Sequence, residues 1–132
     1  MVGHDTVFRP ATLPGLLAER DGEIVGVLTY TQVGDAVEVV TIDALHRLAG
    51  IGTALIDAVV EVAAELGATR LVLTTTNDNV DAIRFYQRRG FRLTGLRPGA
   101  VNRSRQLKPE IPLLGAYDIP LTDELELTRP IV

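Results

Sequence analysis

Arg47, Gly50 and Gly52 stand in the spacing R-x-x-G-x-G, and the chemistry this spacing offers is anion binding. They lie within Ile42 to Leu55, IDALHRLAGIGTAL, which reads as a strand end, a short loop and the start of a helix. The first turn of a helix carries N–H groups without internal acceptors and a partial positive charge. Glycine removes the β-carbon that would hold a phosphate away from those amides. A G-x-G pair also serves many strand-to-helix turns simply as a bend, so a second motif has to decide between the two readings.

That second motif is Asn79-Val80-Asp81-Ala82-Ile83-Arg84-Phe85-Tyr86-Gln87-Arg88-Arg89-Gly90-Phe91, or N-x-x-A-x-x-F-Y-x-x-x-G-F. With R-x-x-G-x-G before it, and one helix and one strand between, it resembles the GNAT family of N-acetyltransferases over roughly Leu16 to Arg97. The resemblance implies fold class α/β, a mixed sheet of α+β type. This is the GNAT-like acyl-CoA N-acyltransferase fold with a shortened N-terminus. That fold normally sets a strand and two helices ahead of the first hairpin, and here a strand near Thr6 to Arg9 is all that precedes Leu16.

The composition argues for no metal, and the resemblance also implies acetyl-CoA as co-substrate. Its pyrophosphate is expected over the amides of Leu48, Ala49, Gly50, Ile51, Gly52 and Thr53, with Arg47 reaching a phosphate oxygen. The pantetheine arm is expected along the main chain of Val40 to Ile42, where extended backbone offers amides and carbonyls. Asn79 matches an asparagine that contacts the same arm, and it is equally well placed to cap a helix. Tyr86 matches the tyrosine that gives a proton to the leaving thiolate, and a phenol of pKa about 10 suits that donation. Its other reading is one half of a core aromatic pair with Phe85. For a general base, period-two alternation puts Glu38 on one face with Val40 and Ile42, and Asp43 at the strand end competes with it.

Composition narrows the field. The 132 residues suit one domain spanning 1–132, large enough to bury a core without staples. No cysteine is present, which excludes a disulfide framework, a thiolate nucleophile and a cysteine metal site. His4 and His46 lack paired-ligand spacing. No apolar run nears the roughly 20 residues that span a bilayer, and the N-terminus lacks a signal-peptide pattern, so a cytoplasmic protein without membrane contact is expected. The net charge of -4 argues against nucleic acid as a partner. Between Ala82 and Pro109 there is nevertheless no acid, against Arg84, Arg88, Arg89, Arg92, Arg97, Arg103, Arg105 and Lys108. That basic stretch is either a solvated face or an attractive field for a polyanion. Acids gather instead at Glu110 and from Asp118 to Glu126, and the contrast offers a route to a homodimer.

These residues need elements to position them. Asp21-Gly22 between Leu16–Arg20 and Glu23–Gln32 reads as a two-residue hairpin turn, and Ala36–Ile42 completes an antiparallel meander. Ile51, Leu55, Ala58, Val59, Val62 and Leu66 recur at helical spacing, with Gly67 as the stop. Arg70–Thr75 is a strand that returns parallel to the third strand of the meander. Val80–Arg89 is a helix ending at Gly90, Phe91–Arg97 a strand, Ala100–Leu107 a short polar helix and Glu124–Thr128 a last strand. The segment Gly99 to Thr122 is longer than a hairpin connection needs. Its apolar Ile111, Leu113, Leu114, Tyr117 and Ile119 are expected to fold back over the site or to meet a second copy. Asp118, Asp123 and Glu124 are available there to attract a cationic amine or to meet the basic helix.

A nucleic-acid-associated protein using the basic Ala82 to Pro109 segment is a weaker third reading, because the segment lacks aromatic residues to spare for stacking. Two functions lead for such a chain. One is an acetyl-CoA-dependent N-acetyltransferase acting on a primary amine of a small molecule or peptide by direct transfer in a ternary complex. The other is an acetyl-CoA-binding sensor or regulatory subunit that has lost its acceptor wall. Tyr86 separates them, because a pure binder has no use for a proton donor.

Overall fold

The computed structural model describes residues 5–10, 14–44 and 50–131. They form two compact units: one runs to Leu71 and takes back the chain from Pro130, and the other is Val72–Arg129.

In the first unit, strands β1 (Asp5–Phe8), β2 (Gly15–Arg20), β3 (Glu23–Val33) and β4 (Ala36–Ala44) pair in that order, each antiparallel to the next. The β2–β3 turn has Asp21 at φ 51 and Gly22 at φ 84. Both angles are positive, as the tight hairpin turn that follows strand twist requires. Six residues separate Phe8 from Gly15, too few for two helices. Helix α1 (Ile51–Glu65) lies against these strands, burying Ile51, Leu55, Ile56, Val59, Val62 and Ala63. Its apolar positions recur at i, i+4 and i+8, so one stripe faces the sheet. Gly67, at φ 76, ends it in the left-handed conformation. The unit is tied at its far end by Asp35, which accepts hydrogen bonds from Arg70 at 2.6 Å and Thr69 at 3.1 Å. These bonds hold its carboxyl below the usual range, Arg70 contributing most.

The second unit takes most of strand β5 (Arg70–Thr76), then helix α2 (Val80–Arg88), strand β6 (Arg92–Arg97), helix α3 (Ala100–Leu107) and strand β7 (Glu124–Pro130). Strand β7 lies between β5 and β6 and runs antiparallel to β6. Leu73, Tyr86, Phe91, Ala100, Val101 and Leu127 are its buried apolar centre. No helix among the described residues is long and apolar enough to cross a membrane.

Candidate active site

Gly50 opens α1 at φ 87, a left-handed conformation that explains glycine at this position. The first internal bond of the helix runs from Ala54 N–H to the Gly50 carbonyl at 2.9 Å, so the Ile51 and Gly52 amides precede the helical ladder. Among the described residues no side chain caps this end, and no acid stands in its first turn. The helix therefore presents uncompensated partial positive charge where a phosphate could sit. Gly26 of β3 lets that first turn come close, since a Cβ there would lie 2.8 Å from Ile51 Cγ2. Arg47, Leu48 and Ala49, expected to complete the anion loop, lie outside the described residues.

Strand β4 departs from strict alternation. Thr41 pairs with Thr29 and Val39 with Tyr30, which leaves Val40 without a partner. Opposed residues of an antiparallel pair share a face, and a bulge shifts the phase. Ile42, opposite Leu28, and Val39, opposite Tyr30, therefore face the side of the sheet that α1 covers. Glu38, opposite Thr31, Thr41, opposite Thr29, and Asp43, opposite Val27, face the other side. The 2.6 Å contact between the Thr29 and Thr41 hydroxyls fixes this register. The expectation that Glu38 and Ile42 share a face is thus incorrect: the extra residue at Val40 reverses the alternation. Glu38 and Asp43, the two candidate bases, do share one. Asp43 also borders a pocket of about 140 Å³ with Ile24, Val25, Gly26 and Val27. Val40 itself is exposed, and a bulge leaves main-chain groups of this strand outside the ladder.

Helix α2 carries the second motif. Asn79 occupies the N-cap position, but its side chain makes no cap bond and instead donates to Thr75 Oγ1 at 3.1 Å. The capping role expected of this side chain is therefore not the one it plays. Its carbonyl accepts the Ile83 N–H at 3.0 Å, as an N-cap residue should. Tyr86 is the buried residue of α2 and packs edge-on between Phe85 and Phe91, with ring centroids 5.5 and 5.7 Å away. Burial pushes its phenol above the ordinary tyrosine value, so it stays protonated. Among the described residues its hydroxyl has no hydrogen-bond partner, yet no buried side-chain polar atom is unsatisfied. The tip of the ring therefore reaches solvent while the rest is enclosed. Both readings of Tyr86, core aromatic and available donor, hold at once.

The segment between α3 and β7 turns back onto the start of α2. Arg105 donates to the carbonyls of Ile111, Pro112 and Leu121. Asn77 accepts from the Thr122 and Asp123 amides and donates to Pro120 O at 2.8 Å. Asp78 accepts from Thr76 Oγ1 at 2.5 Å and from the Ala116 N–H at 2.9 Å. Burial alone would raise this carboxyl, but those two bonds outweigh it and hold it below the usual range. Gly115 lies so close that a Cβ would collide with the Asp78 carboxylate. Of the acids expected to meet a cation, Asp123 accepts the Gly99 N–H and Glu124 pairs with Arg97 at 3.0 Å. Asn77 and Asp78 were not singled out by their sequence, and Arg105 stood out only as one member of the basic stretch. The available signal was Asn-Asp between a strand and a helix, a pair prone to bonding nearby backbone.

Residues 4–91 match the model of the acetyltransferase (GNAT) family. The chain is 42% identical over 126 residues to the uncharacterized protein YdhI of Bacillus subtilis, covering 95% of this chain and 79% of that protein. It is 44% identical over 111 residues to YxbD of the same organism, covering 84% and 70%. A GNAT family acetyltransferase from Elizabethkingia anophelis, solved with acetyl-CoA bound, superimposes with a TM-score of 0.77 at 24% identity over 89% of this chain and 76% of that one. The chain belongs to the acetyltransferase (GNAT) family and has its fold.

Proposed function

We propose that this protein is an acetyl-CoA-dependent N-acetyltransferase that transfers acetyl directly to a primary amine. The observation that carries this reading is Tyr86, a buried phenol with a raised pKa and a hydroxyl left unbonded. A residue needed only for packing gains nothing from an unengaged polar tip. The open N-terminus of α1 supports the cofactor part, and the irregular backbone at Val40 gives an extended ligand main-chain groups to bond.

The step balances with few groups. The neutral amine nitrogen attacks the thioester carbonyl carbon, a C–N bond forms and the C–S bond breaks. The departing thiolate takes the Tyr86 proton, while the amine loses its own to solvent water. The resulting phenolate regains a proton from solvent. No covalent acetyl-enzyme is required, and the chain has no cysteine to form one.

The test is a thermal-shift titration with acetyl-CoA, followed by a free-thiol assay across a panel of primary amines. A shift together with amine-dependent thiol release supports the reading. A shift without release for any amine makes the protein a binding module, and no shift at millimolar ligand refutes the cofactor itself.

A further inference from the structure

Among the described residues β6 pairs with β7 alone, so its outer side keeps the unpaired N–H and C=O groups of an edge strand. Two leucines stand on it, Leu93 and Leu96, 50% and 58% exposed. They are three positions apart, and strict alternation would send them to opposite faces. A bulge prevents this. Leu93 opposes Leu127, Gly95 opposes Glu126 and Leu96 opposes Leu125, so Thr94 is the extra residue. Leu93 and Leu96 thereby share the face of buried Leu127, while Arg92, Gly95 and Arg97 share the other.

The polar side chains of that second face lean inward, away from the edge. Arg97 donates to Glu124 at 3.0 Å, lies 3.8 Å from Glu126 and reaches back to Thr74 of β5 at 3.0 Å. The Thr94 and Thr128 hydroxyls are 2.8 Å apart. Two carboxylates thus meet one guanidinium at the Arg97 end of the strand. At the other end Arg92 is exposed and has no acid partner among the described residues. One end carries a surplus negative charge and the other a surplus positive one. An antiparallel copy would bring unlike ends together.

We infer that β6 is a self-pairing edge, and that its partner is β6 of a second copy of this chain, antiparallel about a two-fold axis at the Thr94 bulge. Residues 92–97 read R-L-T-G-L-R, a palindrome outside the central pair. Leu93 then opposes Leu96 of the second copy, and Leu96 its Leu93, on the face shared with Leu125 and Leu127. Arg92 opposes Arg97 of the second copy, whose two glutamates supply the missing counter-charge.

The bulge decides the occupant. In a regular antiparallel ladder the two-fold passes between a residue and its own copy, so opposed residues differ by an even number of positions. Leu93 and Leu96 differ by three, and taking Thr94 out of the alternation in each strand restores the even count. A regular strand would fall out of step with this edge. A second β6 carries the matching irregularity.

Sedimentation velocity on the full chain, from micromolar to near-millimolar concentration, should show a reversible monomer–dimer equilibrium. Arg92→Glu should weaken the dimer about tenfold, since the lost charge contact occurs twice. The chain has no cysteine, so introduced ones report without background. Leu93→Cys and Leu96→Cys, both at exposed positions, are oxidised separately and as an equimolar mixture. The mixture should give a disulfide-linked dimer, because opposed Cα atoms lie about 4.5–5.5 Å apart, within disulfide reach. Each variant alone should cross-link far more slowly, because a residue and its copy are diagonal neighbours beyond the roughly 7 Å limit. A monomer at every concentration would overturn the pairing. Single variants that cross-link as readily as the mixture would do so too, and so would a dimer that is indifferent to Arg92→Glu and yields no linked species in the mixture.

Discussion

Gly26 lies under Ile51 so closely that an added Cβ would stand 2.8 Å from Ile51 Cγ2 and 3.1 Å from Leu55 Cδ1. Ile51 and Leu55 are both fully buried, so neither can swing out of the way. Gly26→Val should therefore push the first turn of α1 off β3. Overpacking of this kind costs about 1–3 kcal/mol. The expected result is a lower melting temperature together with a smaller acetyl-CoA shift than wild type, measured in the same titration. A normal shift would separate the anion site from this packing.

Gly50 tests backbone conformation without crowding, because a Cβ there would meet nothing within 4 Å. With φ at 87, Gly50→Ala should destabilise the protein by about 1 kcal/mol through conformation alone. If the turn flips to relieve that cost, the first amides of α1 turn away and cofactor affinity falls. Chemical denaturation and calorimetry with coenzyme A read the two effects independently.

Tyr86→Phe removes only the hydroxyl and keeps the aromatic contacts with Phe85 and Phe91. Turnover is expected to fall roughly 10²-fold with the KM for acetyl-CoA little changed. The raised phenol pKa also sets a pH dependence. The folded state favours the neutral phenol, so its contribution to stability is complete below the ordinary value of about 10 and is lost as pH rises through the raised value. Activity that needs the proton should persist to a similarly alkaline limit in wild type, and that limb should be missing from the Phe variant's profile.

Arg105→Ala leaves the Ile111, Pro112 and Leu121 carbonyls without their shared donor. A lost hydrogen bond to a charged group costs about 1.5–3 kcal/mol, and the loss here is local to the strap between α3 and β7. Hydrogen exchange should show faster exchange at the amides of Gly115 and Leu121, which bond within the strap, while β3 and α1 amides keep their protection. Unchanged exchange would mean that Asn77 and Asp78 suffice.

Acid offers a complementary probe of the same strap. Asp78 has its carboxyl held below the usual range, so its bond to the Ala116 amide is intact above about pH 4 and is lost as pH falls through the lowered value. The Ala116 amide should become exchange-labile in that window before the protein unfolds globally, and Asp78→Asn should remove the pH dependence.

The elements were legible in the sequence wherever local chemistry decides them. Asp21-Gly22 can hardly be other than a tight turn, and the four-residue rhythm of Ile51, Leu55 and Val59 requires a helix with one buried stripe. Gly50 and Gly52 raise the expectation of an anion loop, and residues 45–49, which would complete it, lie outside the described ones. The face of Glu38 was not legible at all. A bulge depends on how Val40 fails to pair with another strand, and no period within β4 records that. Asp123 and Glu124 look like free acids in the sequence, until Gly99 and Arg97 are brought beside them. Asn79 reads as a cap from its type and position, and only the presence of Thr75 near the end of β5 shows where its amide goes.

The unpaired Val40 has one more consequence, best seen as a question of reading frame. Val39 opposes Tyr30 and Thr41 opposes Thr29, so the partners on β3 are already consecutive. Loss of a single codon at Val40 would leave every other side chain of β4 on its present face and simply flatten the strand. Loss of the Val39 codon gives the identical chain, since the two neighbours are both valine. A one-residue deletion here thus separates two things that point mutations confound. The folded core should survive it, and whatever the irregular backbone is kept for should not.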